Sequence, residues 1–102
     1  MIMWRGTTPT HTFTFPTDVD LESMSVIFIS YAQDGTVVVE KEKDDLEIVG
    51  NQIRLGLTQA DTLKFRPGAV KIQLRAKAAD GRAVASNIIS TTTREILKDG
   101  EI

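Results

Sequence analysis

The sequence contains no cysteine and only one histidine, His11. Without cysteine the chain forms no disulfide bond, carries no thiolate nucleophile and cannot ligate an iron–sulfur cluster. A protein zinc site usually needs three or four clustered ligands with several histidines or cysteines among them. We therefore expect no metal site and no cofactor.

Long apolar runs and a strong charge of one sign are also missing. No apolar run approaches the roughly 20 residues that a membrane-spanning helix requires, and the start of the chain lacks the basic flank of a secretion signal. The net charge of −2 gives no general attraction for nucleic acid. We expect a chain that is cytoplasmic when synthesised and has neither a membrane nor a nucleic acid as its partner.

What is present is typical of one small globular domain. The 102 residues are 41% hydrophobic and 25% charged. Two separate cores would leave only about fifty residues each, which is marginal for an independent fold. We predict a single domain over residues 1–102, with residues 1–7 as an N-terminal arm. Residues 94–102 form a tail that either extends the last strand or frays.

Apolar and polar residues alternate with a period of two along most of the chain, and no long helical pattern occurs. In residues 69–78 the alternation separates apolar residues from lysine, glutamine and arginine. Turn pairs such as Asp34-Gly35 and Asp80-Gly81 separate the strands. These patterns predict an all-β fold, an immunoglobulin-like antiparallel β-sandwich of about seven strands with one or two short helical turns.

Three local patterns refine this prediction. Pro9 and Pro16 bracket residues 10–15, which predicts a short edge strand because proline is tolerated mainly at sheet edges. The spacing of Thr58 and Asp61 is that of a capping box at the start of a helical turn. Residues 17–22 are compatible with a second capped turn. Their acidic residues alternate as in a calcium loop, but the glycine that such a loop needs is missing, so a solvated turn is the better interpretation.

The residues give little support for catalysis. His11 shares a predicted strand face with Phe13 and Phe15, which favours a partly buried, hydrogen-bonded histidine over a general base. Neither a Gly-x-Ser-x-Gly motif nor a phosphate-binding glycine motif occurs. We predict that the chain is not an enzyme and has no small-molecule substrate. A small hydrolase that depends on His11 is the rival hypothesis.

A row of basic residues lies on the predicted outward face of one strand. Such a row could bind phosphate or an acidic partner, but it lacks the interleaved aromatic residues that stack nucleic-acid bases. A solvated face that discourages aggregation is the favoured interpretation. The row comprises Lys71, Arg75 and Lys77, with Arg82 as a further candidate.

Residues 24–31 are more apolar than a half-solvated strand should be. They read Met-Ser-Val-Ile-Phe-Ile-Ser-Tyr, so both faces of the strand carry apolar side chains. Either a loop such as residues 1–4 covers the second face, or another subunit does. The hypothesis of a subunit contact names four candidate interface residues, Ile27, Ile29, Tyr31 and Val38.

Trp4 is the best single anchor candidate for a docked partner. A lone tryptophan outside the predicted strands buries a large area when it docks. The alternative is that Trp4 caps the open end of the sandwich within the same chain. Candidate contacts are the exposed face of a hairpin predicted from strands at residues 25–33 and 36–43, and the N-terminal residues 1–5.

Three stretches together carry a family resemblance. They are WRGTTPTHTF at residues 4–13, LTQADTLKF at 57–65, and VKIQLR at 70–75 running on to DG at 80–81 and ASNI at 85–88. Their order and spacing resemble small structural proteins encoded by phages and prophages of Gram-positive bacteria. They are also similar to the N-terminal immunoglobulin-like module of phage baseplate upper proteins.

The resemblance implies a β-sandwich, a role in a virion or its assembly, and either self-association or docking to another phage tail protein. Residue 102 leaves no room for the domain that follows this module in the longer proteins, which implies an anchoring or accessory role. We expect a non-enzymatic, tail- or baseplate-associated module that acts through protein–protein contacts. The alternative is a carbohydrate or cell-surface ligand-binding module, for which an aromatic content of 6% is low.

Overall fold

The computed structural model describes residues 2–102, which fold as two stacked β-sheets. The nine strands found in this range are β1 (Ile2–Trp4), β2 (Thr10–Thr14), β3 (Met24–Gln33), β4 (Thr36–Glu42), β5 (Glu47–Val49), β6 (Gln52–Gly56), β7 (Gly68–Ala78), β8 (Ala83–Ala85) and β9 (Ile89–Arg94). Two helical turns join them, a 3-10 turn at Lys43–Asp45 and α1 at Gln59–Leu63. The predicted all-β sandwich with short helical turns is confirmed.

The strand order is that of an immunoglobulin-like sandwich. The larger sheet runs β1-β9-β7-β3-β4, with β8 also paired to β7, and the smaller sheet runs β2-β6-β5. Strands β9, β7, β3 and β4 therefore take the places of strands G, F, C and C′ of the variable-type fold, and β2, β6 and β5 those of B, E and D. In residues 2–102 no strand takes the place of A beside β2.

Turn chemistry sets two of the hairpins. Asp34 and Gly35 both adopt positive φ, at 50° and 77°, as a two-residue turn between β3 and β4 requires. Gly50, with φ of 60°, turns β5 into β6. At the start of α1 the Thr58 side chain accepts a hydrogen bond from the Asp61 amide, and the Asp61 carboxylate accepts one from the Thr58 amide. The predicted capping box is confirmed.

The core lies between the two sheets and is built from alternate residues of the long strands. In β7 the inward side chains are those predicted from its alternation, from Val70 to Ala76. Across the register of β3 and β7, Ile29 lies opposite Leu74. The buried apolar cluster comprises Met3, Leu21, Ile27, Ile29, Tyr31, Val39, Ile53, Leu55, Leu57, Phe65, Val70, Ile72, Leu74 and Ala76.

The N-terminal segment differs from the predicted arm. Residues 2–4 form β1, which pairs in parallel with β9 from Ile2 opposite Thr92. Its middle residue, Met3, is buried in the core. The Arg5 guanidinium then donates a hydrogen bond from Nε to the Phe65 carbonyl, at 2.7 Å. A strand this short would not be stable by itself. The main-chain pairing with β9 and the Arg5 hydrogen bond therefore hold the segment in place.

The C-terminal half differs from the prediction in two ways. The predicted last strand is split into β8 and β9, because the Ser86 hydroxyl accepts the Leu74 amide proton and interrupts the ladder. The tail after Arg94 leaves the sheet, and the Gln59 side chain hydrogen-bonds both the amide and the carbonyl of Ile102.

Residues 17–22 form turns without the predicted helix. No helix in residues 2–102 has the length and apolarity needed to cross a membrane.

Candidate interaction surfaces

Three of the four predicted subunit-contact residues lie in the core. Ile27, Ile29 and Tyr31 are at most 1% exposed and face the smaller sheet. The subunit contact predicted at these three residues is therefore wrong. A strand with two apolar faces does not itself indicate which face meets the second sheet. Val38 is half-buried and packs against the core at a bulge, where the β3–β4 register shifts between Tyr31 and Ala32.

Trp4 is available at the surface, as an anchor would be. Its side chain lies at the edge of the larger sheet and is 49% exposed. The guanidinium of Arg94, its register partner, lies 5.9 Å from the ring centre. Trp4 therefore does not cap the end of the sandwich, and a cation–π contact orients its ring.

His11 is a buried histidine with a buried partner. Its Nδ1 lies 2.7 Å from the hydroxyl oxygen of Tyr31, and the two rings stack with centres 5.7 Å apart. Burial lowers the pKa of His11 below its ordinary value of 6.5, so the neutral imidazole is favoured. Within the described part of the chain, no group of three histidine, cysteine, aspartate or glutamate residues is placed to hold a metal ion.

An ion pair lies close to this buried pair. Lys41 Nζ is 2.9 Å from Oδ2 of Asp61, which is itself buried. Burial would raise the pKa of Asp61, but hydrogen bonds from Thr58 and Lys41 lower it further than burial raises it. Burial, and secondarily the negative charge of Asp61, raise the pKa of Tyr31. Tyr31 therefore keeps a neutral hydroxyl group and is a structural residue of the core.

The sandwich is open along one side, between β2 of the smaller sheet and β8–β9 of the larger sheet. We call this gap the open side. It holds a groove of about 990 Å³ into which core residues from both sheets face. Phe13 and Phe15 line it from the smaller sheet, and Leu74, Val84 and Ile89 line it from the larger sheet. A gap of this kind exposes apolar core to solvent, which soluble domains normally avoid.

The edge of β2 that borders the open side has no strand partner among residues 2–102. The Phe15 amide donates to the Asn51 carbonyl, so odd-numbered residues of this ladder exchange hydrogen bonds with β6. In an antiparallel ladder the alternate residues direct their N–H and C=O groups to the other edge. Thr10, Thr12 and Thr14 therefore present unpaired backbone groups. The edge position predicted from the flanking prolines is confirmed.

The opposite border of the open side is apolar. Among residues 2–102, β1 pairs with β9 from Thr92 onward, and no strand pairs with residues 83–90 on that side. Three large apolar side chains of this stretch are exposed by 39–57%, namely Val84, Ile88 and Ile89. The exposure of these residues was not predicted from the sequence. The Ile88-Ile89 pair is the one local signal, because adjacent apolar residues break the period of two.

The outer face of the larger sheet carries three parallel columns of side chains, one on each of three neighbouring strands. The column on β7 is basic, as predicted, and its lysines and arginine are exposed. The column on β3 is half-buried and apolar apart from Ser30, and that on β4 is acidic apart from Val37. Arg82 lies outside these columns, in the turn where it pairs with Asp80. The columns are Lys71, Gln73, Arg75 and Lys77 on β7, Val26, Phe28, Ser30 and Ala32 on β3, and Val37, Glu40 and Glu42 on β4.

Comparison with known proteins gives loose similarity to immunoglobulin domains. No family model and no curated protein matches the chain. Among solved structures, it is similar to the V domain of amphioxus IgVJ-C2, with 16% identity over 91% of this chain and 98% of that one, and a TM-score of 0.37. The amphioxus IgVJ-C2 molecule matches with 17% identity over 91% of this chain, a TM-score of 0.36 and 54% of its own length. The fold assignment rests on the strand order described above.

Proposed function

We propose that this chain is a non-enzymatic assembly module that binds an extended segment of another protein along its open side. The observation that carries the proposal is that, among residues 2–102, β2 and residues 83–90 both lack a strand partner on the same side, with apolar core between them. A bound strand would pair with the free edge of β2 and place alternate side chains in the groove, as in strand addition to other sheets. This combination offers main-chain hydrogen bonds and apolar burial to one ligand.

Charge indicates which segments would fit. Asp18 and Asp20 line the groove where the chain leaves β2, and both are exposed. A segment with apolar residues at alternate positions and a basic residue at one end would therefore complement the site. No such charge preference would be expected for a groove that merely reflects loose packing.

The proposal is tested with a synthetic octapeptide in which valine and threonine alternate between terminal lysines. In antiparallel pairing its valines enter the groove and its threonines bond to β2. We expect binding at about 1 mM peptide or below, measured by NMR. The amide protons of Thr10, Thr12 and Thr14 should exchange more slowly in the complex, because they gain acceptors, and the methyl signals of Val84 and Ile89 should shift.

Two matched controls distinguish strand addition from non-specific apolar binding of the peptide. Methylating the threonine amides of the peptide removes its donors while its valines stay, so binding should be lost. In the protein, Val84→Asp should abolish binding, whereas Val49→Asp should not. Val49 is exposed to the same extent as Val84, at 48% against 47%, but lies on β5, away from the open side. Equal binding by the methylated peptide, or by both protein variants, would contradict the proposal.

We further propose that the module serves a phage or prophage tail or baseplate. The resemblance of residues 4–13, 57–65 and 70–88 to phage structural proteins supports this assignment. The chain would be made in the host cytoplasm and built into the particle through its open side. Mass spectrometry of purified particles should then find the chain in a fixed ratio to tail proteins. Its absence from both mature particles and assembly intermediates would refute this role.

A further inference from the structure

The outer face of the larger sheet has a charge pattern that is complementary to itself. In the sheet register Phe28 lies between Glu42 on β4 and Arg75 on β7, so these three side chains form one row. Neighbouring strands are about 4.8 Å apart, which places the acidic and basic columns about 10 Å from each other. The apolar column of β3 runs midway between them.

The charges of this face are not neutralised within the chain. Among the ion pairs of residues 2–102, none involves Lys71, Arg75 or Lys77. On the acidic side, Glu40 accepts a hydrogen bond from the Ser30 hydroxyl at 3.2 Å and has no cationic partner among these pairs. Glu42 caps the 3-10 turn, where its side chain faces the Asp45 amide, and it too has no cationic partner among these pairs. Both columns therefore keep charges that can pair with a partner.

A two-fold rotation about an axis that runs along β3 matches opposite charges. It places the basic column of one copy over the acidic column of the second copy, and Phe28 over its own equivalent. A two-fold axis across the strands would instead oppose basic to basic and acidic to acidic. Face-to-face sheets normally pack about 10 Å apart with their strands nearly aligned, which is the arrangement that the first axis produces.

We propose that the occupant of this face is a second copy of the chain, bound as a symmetric dimer with the axis along β3. In that dimer Glu42 of each copy faces Arg75 of the other, and the half-buried Phe28 side chains become fully covered. A two-fold interface is isologous, so every favourable pair occurs twice. This inference goes beyond the proposed function, because the face does not border the open side.

Charge reversal tests the geometry. The wild-type chain should sediment as a dimer at high concentration in analytical ultracentrifugation. Arg75→Glu should weaken the dimer by about tenfold or more, because two glutamates then face each other twice, and Glu42→Arg should do the same with arginines. An equimolar mixture of the two variants should form a heterodimer, since each reversed charge then faces its opposite. The double variant Glu42→Arg, Arg75→Glu should dimerise by itself.

The controls are the same reversals on the outer face of the smaller sheet, where Glu47 lies opposite Arg54. Arg54→Glu and Glu47→Arg should leave the dimer unchanged. Circular dichroism establishes that each variant is folded, and restoration in the mixture shows that a loss in the single variants is not misfolding. A wild-type monomer at about 1 mM, single reversals without effect, or no restoration in the mixture would each overturn the proposal.

The proposed peptide binding at the open side and the proposed dimer at the outer face can be refuted independently of each other. Val84→Asp blocks the open side and should leave the dimer intact, whereas Arg75→Glu should leave peptide binding intact. A dimer that is lost in Val84→Asp but kept in Arg75→Glu would place self-association at the open side and overturn the inference made from the outer face.

Discussion

His11 and Tyr31 show how a single pair of polar side chains is accommodated between the sheets. The histidine sits on β2 and the tyrosine on β3, so their 2.7 Å contact crosses from one sheet to the other. The face that His11 shares with Phe13 was predictable from the alternation of β2. Its partner was not, because a contact between sheets depends on how the two sheets are stacked.

The histidine makes stability depend on pH. Its pKa is lower in the folded chain than the ordinary 6.5, so below pH 6.5 the unfolded chain takes up a proton that the folded chain resists. The contribution to stability is complete above pH 6.5 and is lost as the pH falls through the folded pKa. We expect the midpoint of urea unfolding to fall between about pH 7.5 and 5.5.

The variant His11→Gln isolates this effect. Glutamine keeps a hydrogen-bonding group near Tyr31 but does not titrate, and the chain has no other histidine. Its unfolding midpoint should be nearly flat over the same range. Asp61, with its lowered pKa, responds only at more acidic pH. A wild-type midpoint that does not move, or an equal slope in the variant, would show that His11 is not the group responsible.

At the scale of elements, β3 is the strand for which the alternation of apolar and polar residues predicted the packing least completely. Its bounds and its turn into β4 agree with the structure, but the contact was assigned to the wrong face. Both faces carry large apolar side chains. The period of two therefore assigns each side chain to one of two faces but does not indicate which face is buried. The β4 bulge adds a second difficulty, because one extra residue moves Val37 to the surface while Val39 stays in the core.

Substitutions on the two faces of β3 should differ in cost. Ile29→Ala removes a fully buried side chain next to Leu74 and should lower the free energy of unfolding by about 2–5 kcal/mol. Val26→Ala, on the half-buried outer face, should cost less than about 1 kcal/mol.

Urea denaturation monitored by circular dichroism measures both values. Measuring them at low protein concentration keeps any self-association through the outer face from adding to the cost at Val26. If the cost at Val26 equalled or exceeded that at Ile29, the packing of β3 against the smaller sheet would be contradicted.

At the scale of the whole molecule, the unequal size of the sheets creates the open side. The larger sheet gains an extra strand because β1 pairs with β9, while the smaller sheet, as residues 2–102 form it, has three strands and ends at β2. The predicted N-terminal arm would have added nothing to either sheet. Its actual place, in β1, covers only one end of β9 and leaves Val84, Ile88 and Ile89 exposed.

Local patterns in the sequence determined the fold class, most strand positions, the hairpin at Asp34-Gly35 and the edge position of β2. Each depends on neighbours in the chain, through side-chain alternation, turn conformation or a missing proline N–H. Only the tertiary structure decided which face of β3 is core, that the N-terminal segment is a strand, and that two sheet edges stop on the same side. Those features depend on register and stacking between segments far apart in sequence, and a one-residue shift of register reverses every face.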